Sequence, residues 1–156
     1  MKKVARGKGL EKAVNKCNRT YKLKKLALIS KVPVPMQFTA TKIIASQSTV
    51  DYTGVVGPGG KAIAFDAKET GSKTSFSLSN IHKHQFQFLE YWSFCGGEAF
   101  FLIQFYKVNP EHAFKADINF VAEYWYKSLE GGRKSIPISA FEEDSKVAIK
   151  DYLCLN

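Results

Sequence analysis

Near the start of the chain, apolar residues recur at helical spacing. Leu10, Ala13, Val14, Cys17 and Tyr21 fall at i, i+3, i+4, i+7 and i+11, one stripe of an amphipathic helix. Lys12, Lys16 and Arg19 take the opposite side of that wheel, and Glu11 sits on the border. Residues 26–29 form a short apolar strand candidate, after which Pro33 and Pro35 enforce an extended path through 32–36. Residues 38–50 are polar and show no clear period. A hairpin is predicted next, with arms 51–56 and 61–68 around Gly57-Pro58-Gly59-Gly60. Asn80 can cap a helix running to about Cys95, closed by Gly96-Gly97. The stretch 98–108 is nearly continuously apolar, as in a central strand covered on both faces. A second, aromatic-rich helix is predicted over 117–129, stopped by Gly131-Gly132, and 133–156 reads as one short strand and a terminal helix. This order of elements predicts a single domain, 1–156, with a mixed α/β sheet and helices packed against it.

Composition narrows the class. The 156 residues are 45% hydrophobic and 24% charged, an ordinary globular balance. No apolar run approaches the roughly 18–20 residues of a membrane span, and no apolar region follows the basic start as in a secretory signal. Cys17, Cys95 and Cys154 are scattered and odd in number, so neither a disulfide framework nor a zinc knuckle is expected, and a reducing cytoplasm is the expected setting. The net charge of +9 is unevenly spread: residues 1–31 hold 11 of the 23 basic side chains and one acid, Glu11. Such a stripe is the footprint of a polyanion binder, nucleic acid first, and its small apolar face without Trp or Phe speaks against a membrane.

The candidate chemistry lies on the predicted hairpin. Alternation puts Ala62, Ala64, Asp66 and Lys68 on one strand face and Ile63 and Phe65 on the other. If the turn is centred between Pro58 and Gly59, Asp51 stands across from Asp66, with Cβ atoms about 4.5–5.5 Å apart. Like charges so placed call for a cation, and two carboxylates with a main-chain carbonyl and waters suit Mg²⁺. Lys68 would then lie beside the ion, able to orient water or to stabilise charge on phosphorus. A slip of one residue would separate the acids onto opposite faces, and a Lys–Asp pair on a solvated strand face is the alternative reading. On the next helix Gln85 shares a stripe with Ile81, Phe88 and Trp92, so its amide must satisfy backbone groups or reach the carboxylates. His82 and His84 lack the partners of a zinc site and suit capping, packing or a phosphate contact. From position alone, Glu11 reads as one acid among bases, making weak salt bridges.

The run Asp51-Tyr52-Thr53-Gly54 with Phe65-Asp66-Ala67-Lys68-Glu69-Thr70 resembles the RecU-type Holliday junction resolvases, which belong to the PD-(D/E)xK, restriction-endonuclease-like nucleases. The resemblance extends, in order, through Arg6-Gly7 with Glu11 and Asn15; Ile29, Lys31, Pro33 and Pro35; and Ser48-Thr49. It continues with Lys73-Thr74-Ser75-Phe76, Leu78, Asn80-Ile81-His82, His84-Gln85, Gly96-Gly97 and Arg133-Lys134-Ser135-Ile136. It implies a mixed central sheet flanked by helices. It also implies a Mg²⁺-dependent homodimer, with Mn²⁺ as substitute and no organic cofactor, that makes paired nicks in a four-way DNA junction. Asp51, Asp66 and Glu11 would bind metal, Lys68 would assist the attacking water, and Gln85 would support the site. Arg6, Lys8, Lys12, Lys31, Thr49, Lys73 and His82 would contact DNA. The setting would be the cytoplasm of a bacterial or phage-infected cell. Two departures stand out. Asp66 occupies a position where the family usually has Glu. The segment 38–50, where the family carries a longer basic stalk, is short, and 38–47 holds only Lys42 as a cation; a compact phage version would account for it. A non-catalytic branched-DNA binder and a nuclease of looser preference (flaps, nicked or linear duplex) are the competing functions.

Overall fold

The computed structural model describes residues 8–46 and 49–156, so Arg6 and Ser48 lie outside the described residues, as does the side chain of Lys8. The amphipathic stripe near the start forms helix α1 (Lys8–Leu23). Leu10, Val14, Cys17 and Tyr21 are buried, as their spacing predicts, and Asn18 joins them. Lys12, Lys16 and Arg19 are exposed. Strand β1 (Ala27–Lys31) follows, and beyond the proline segment come β2 (Met36–Phe38) and β3 (Ile43–Ala45). These last two pair only with each other, as a small antiparallel hairpin whose residues are exposed throughout. Residues 38–50 are therefore structured in part, where the sequence showed no period.

Strands β4 (Tyr52–Val56) and β5 (Lys61–Thr70) form the predicted antiparallel hairpin. Val56 pairs with Lys61 and Tyr52 with Phe65, the register expected for a turn centred between Pro58 and Gly59. Gly59 and Gly60 take φ of +95° and +71°, values that a side chain would strain. After β6 (Ser75–Ser77) and a 3-10 turn, helix α2 runs Lys83–Phe94. Its N-cap is His82 rather than Asn80, because Leu78–Asn80 is spent in the 3-10 turn.

Strand β7 (Glu98–Phe105) is buried on both faces, as expected, but ends at Phe105. There the Val108 and Asn109 N–H groups both donate to the Phe105 carbonyl and turn the chain into β8 (His112–Asp117). Helix α3 (Ile118–Leu129) is N-capped by Asp117, whose carboxylate accepts from the Asn119 N–H at 2.8 Å. The remainder holds β9 (Ser135–Pro137), β10 (Lys146–Ala148) and 3-10 turns; the expected terminal helix is not formed.

The main sheet has the order β1-β4-β5-β7-β8-β10, with β5 and β7 parallel and the other neighbours antiparallel. This mixed sheet with helices on both faces is the restriction-endonuclease-like architecture expected. On one face α1 packs over Ile63, Phe65, Phe100, Leu102 and Tyr152. On the other, α2 and α3 cover Ala64, Phe101, Ile103 and Phe105. Strand β5 therefore shows odd-numbered residues to α1 and even-numbered ones to α2. Asp66 and Lys68 lie on the α2 side, just beyond the apolar packing of Ala64.

Candidate active site

Asp51 immediately precedes β4, and Asp66 lies on β5 directly beyond the last paired position. Their backbones lock the two carboxylates together. The Asp51 N–H donates to Asp66 Oδ1 at 3.0 Å, and the Ala67 N–H donates to Asp51 Oδ2 at 2.9 Å. Each acid thus accepts a main-chain hydrogen bond from the segment that carries the other. Behind them on the α1 face, Tyr52 stacks on Phe65 and Phe65 on Phe100, each with 4.8 Å between ring centroids. That apolar wall fixes the two strands while their other face carries the polar groups.

Asp66 is fully buried. Lys68 Nζ stands 2.9 Å from its Oδ2 as an ion pair. The approach is not aligned as a hydrogen bond, so Oδ2 is enclosed without a hydrogen-bond partner. Gln85, in the first turn of α2, joins the group: its Nε2 donates to Asp66 Oδ1 at 3.3 Å, and its Oε1 accepts from Lys68 Nζ at 2.9 Å and from the His82 N–H at 3.2 Å. The predicted buried amide therefore does reach the carboxylates, and it is oriented by the helix end it helps to cap. The buried stripe of α2 is Gln85, Phe86 and Leu89, with Phe88 and Trp92 only partly covered, a slight rotation from the expected face.

Glu11 comes from the first turn of α1 and is half-buried at the border of the basic face. Its carboxylate pairs with Lys31, at the end of β1, as the salt-bridge reading expects, and its charge is near enough to act on Asp51. Burial, together with the negative charges of Asp66 and Glu11, pushes the Asp51 carboxyl up to about 7, against the partial relief given by the Ala67 N–H and Lys68. Three acids crowd one region with two ammonium groups, Lys68 on Asp66 and Lys31 on Glu11. Among the described residues, however, no group of three or more His, Cys, Asp or Glu side chains is assembled as a ready metal cluster. The Asp pair is formed; Glu11 is turned onto Lys31. The residues suit a divalent cation on two observations: the enclosed Asp66 Oδ2 has no hydrogen bond, and burial with neighbouring negative charge works against ionisation of Asp51.

Of the expected DNA contacts, Lys12, Thr49, Lys73 and His82 are exposed. Lys31 is about half exposed, but its ammonium is engaged by Glu11. Arg6 and the Lys8 side chain fall outside the described residues. The residue that sequence reasoning passed over is Glu69, whose Oε1 accepts from the Leu10 N–H at 2.8 Å. No spacing rule could have found it, because the contact exists only once α1 docks on the sheet.

The helix-covered mixed sheet is consistent with the restriction-endonuclease-like fold class, and the acid pair with Lys68 two residues beyond the second acid lies at the end of its β4–β5 hairpin. The comparison with known proteins narrows the class. The family profile described as RecU: Recombination protein U matches residues 5–155. The Holliday junction resolvase RecU of Pediococcus pentosaceus is 40% identical over 150 residues, covering 88% of this chain and 73% of the relative. That of Geobacillus sp. is 35% identical over 144 residues, 85% of this chain and 70% of the relative. That of Bacillus cytotoxicus is 35% identical over 159 residues, 94% and 78% respectively. The chain belongs to the RecU family. Its activity is that of a Holliday junction resolvase, an endonuclease of DNA recombination and repair. Among the described residues, no helix is long and apolar enough to cross a membrane.

Proposed function

We propose that the chain nicks opposed strands of a four-way DNA junction by Mg²⁺-dependent hydrolysis at Asp51, Asp66 and Lys68, with Gln85 in support and Glu11 completing the acidic set. One observation carries this reading: two carboxylates cross-bonded by each other's strands, with a buried oxygen left without a hydrogen bond beside an ammonium. Asp51 and Asp66 would hold the ion, with Glu11 adjacent; Mn²⁺ offers the same charge and oxygen preference. The ion, when bound, supplies Lewis-acid polarisation of the phosphate and a lower pKa for the attacking water. Only the carboxylate form of Asp51 would hold the ion, so binding would favour that form. Lys68 Nζ, fixed by Asp66 and Gln85, can steady charge developing on a phosphate oxygen or orient the water. The exposed basic face of α1, with Lys12 and Lys16, tracks the flanking phosphates, so affinity should fall steeply with salt.

Such contacts read shape rather than base sequence. A homodimer belongs to the same reading, because two sites at a fixed separation match the two-fold symmetry of a four-way junction. The free cysteines suit a reducing compartment such as the cytoplasm. The test is cleavage of a synthetic four-way junction with Mg²⁺ by wild type and Asp66→Ala. Loss of cleavage with junction binding retained is expected, and equal cleavage by both removes Asp66 from the chemistry.

A second reading, looser substrate preference, is favoured by the β2–β3 hairpin, which has only three residues per strand and a single cation, Lys42, at its tip. A panel of four-way, flap, nicked and linear duplexes decides between them. Comparable cutting of linear duplex would overturn junction selectivity.

A further inference from the structure

Helix α1 delivers Glu11 to the site, and something must fix the end of the helix from which Glu11 projects. The residue before Glu11 is Leu10, whose N–H is among the donors that a helix N-terminus leaves without an intrahelical partner. It donates to Glu69 Oε1 at 2.8 Å, across 59 positions of sequence. Glu69 lies on β5, one residue beyond Lys68. Strand alternation turns Asp66 and Lys68 toward α2 and Glu69 toward α1. The strand that carries the acid and the amine on one face therefore grips, with its other face, the first turn of the helix that brings the third acid.

Two details fit a clamp rather than a chance contact. A Cβ built on Gly9 would lie 3.0 Å from Glu69 Oε1, so the bare glycine allows the carboxylate to close on the helix end. The carboxylate also faces the positive end of the α1 dipole, where a negative group is favoured. The Tyr52 hydroxyl reaches the Glu11 carbonyl only at a long 3.4 Å and donates mainly to Asn15 at 2.7 Å, and Tyr21 donates to Asp151 at 2.7 Å further along the helix. Lys31 holds only the carboxylate of Glu11, from a half-exposed position.

We infer that Glu69 is a positioning residue for junction cleavage, pinning the first turn of α1 so that Glu11 is presented to the Asp51–Asp66 pair. This rests on the reading of Glu11 as part of the acidic set. A capping carboxylate of purely structural value would affect cleavage whether or not Glu11 were present; a positioning residue acts through Glu11 alone.

The experiment compares Glu69→Ala, Glu69→Gln, Glu11→Ala and the double Glu69→Ala/Glu11→Ala variant with wild type. Three quantities are read: amide hydrogen exchange at Leu10 in metal-free protein, the thermal melt, and the Mg²⁺ dependence of four-way junction cleavage. In Glu69→Ala, exchange at Leu10 should quicken by about 10-fold or more, and the half-saturating Mg²⁺ should rise by about 10-fold, the scale seen when a ligand loses its supporting partner. Glu69→Gln keeps an oxygen that can accept from Leu10 and should recover most of both effects. In the Glu11→Ala background, Glu69→Ala should still quicken exchange yet remove no further cleavage. Gly9→Ala, which pushes the carboxylate away without altering it, should move the same readouts in the same direction; with Glu69→Gln it carries the test if Glu69→Ala does not fold. Unchanged exchange at Leu10 overturns the inference. So does a Glu69→Ala loss of equal fold with and without Glu11, which leaves the role of Glu11 intact. Wild-type cleavage by Glu11→Ala overturns both.

Discussion

Asp51 is a carboxyl whose environment works against its charge, and the cost can be measured without any cleavage assay. Burial and the charges of Asp66 and Glu11 lift its pKa from the ordinary 3.8 to about 7 in the metal-free fold. The folded chain then holds a proton that the unfolded chain releases near pH 4. Where the folded state binds more protons, stability falls as pH rises. The sign is therefore opposite to that of a salt-bridged aspartate: the stability is fully present below about pH 4 and is lost progressively as pH climbs through about 7. At about 1.4 kcal/mol per unit, this shift bounds the loss at about 4 kcal/mol. Asp51→Asn removes the titration, and the amide oxygen can still accept from the Ala67 N–H. In EDTA, urea denaturation of wild type and Asp51→Asn should differ by only about 1 kcal/mol at pH 4.5. At pH 8 the variant should be the more stable, by about 2–4 kcal/mol. Titrating groups remote from Asp51 are common to both proteins and largely cancel in the comparison. Mg²⁺ at pH 8 should restore stability to wild type, by about 2.7 kcal/mol at a hundredfold excess over its Kd, and do little for the variant. A gap independent of pH, or a variant less stable than wild type at pH 8, would refute the account of the acid pair.

Gln85→Leu deprives Asp66 and Lys68 of their shared amide and exposes the His82 N–H; a loss of about 2–4 kcal/mol by thermal or urea denaturation is expected, with cleavage of a four-way junction down by about 10–100-fold. Tyr52→Phe removes the hydroxyl that donates to Asn15 at 2.7 Å and should cost about 1–2 kcal/mol in the same denaturation, since Tyr52 is wholly buried. Asp151→Ala takes the acceptor from Tyr21, Leu155 and Asn156; amide exchange should quicken over the last four residues, and stability should fall by about 2 kcal/mol. Replacing 37–44 by a two-glycine turn should leave the melting temperature within a few degrees of wild type, because the hairpin contributes nothing to either core. The same deletion should lower the ratio of four-way junction to linear duplex cleavage.

How much of this was legible in the sequence depended on whether the signal was local. The β4–β5 register was legible because four turn residues, Gly57 to Gly60, centre the hairpin, and the register alone brings Asp51 against Asp66. The stripe of α1 was legible because five apolar positions share one period. What escaped was decided by tertiary pairing. Strand β8 mixes His112, Phe114 and Lys115 with alanines and resembles a loop until β7 claims it. Residues 133–156 looked helical at their end, yet Ile149 and Tyr152 are buried against α1 in single turns rather than a helix. The pairing of Glu11 with Lys31 joins positions 20 apart and shows only when β1 lies beside the helix terminus.

Strand β5 explains why the site tolerates so much buried polarity. A fully buried carboxylate such as Asp66 costs several kcal/mol unless it is paired and hydrogen-bonded, and here one oxygen lacks a hydrogen bond. The strand survives this because its other face is among the best packed of the protein: Ile63 and Phe65 are at most 1% exposed, and Phe65 touches the rings of Tyr52, Phe100 and Tyr152. Strong packing on one face lets the other keep groups poised for a cation and a phosphate rather than for each other. A redesign that relieved the strain on the α2 face, such as replacing Asp66 and Lys68 together with apolar residues, should therefore yield a more stable chain that no longer cuts DNA. Higher stability with cleavage intact in that double variant would mean that the buried polarity of β5 serves something other than chemistry.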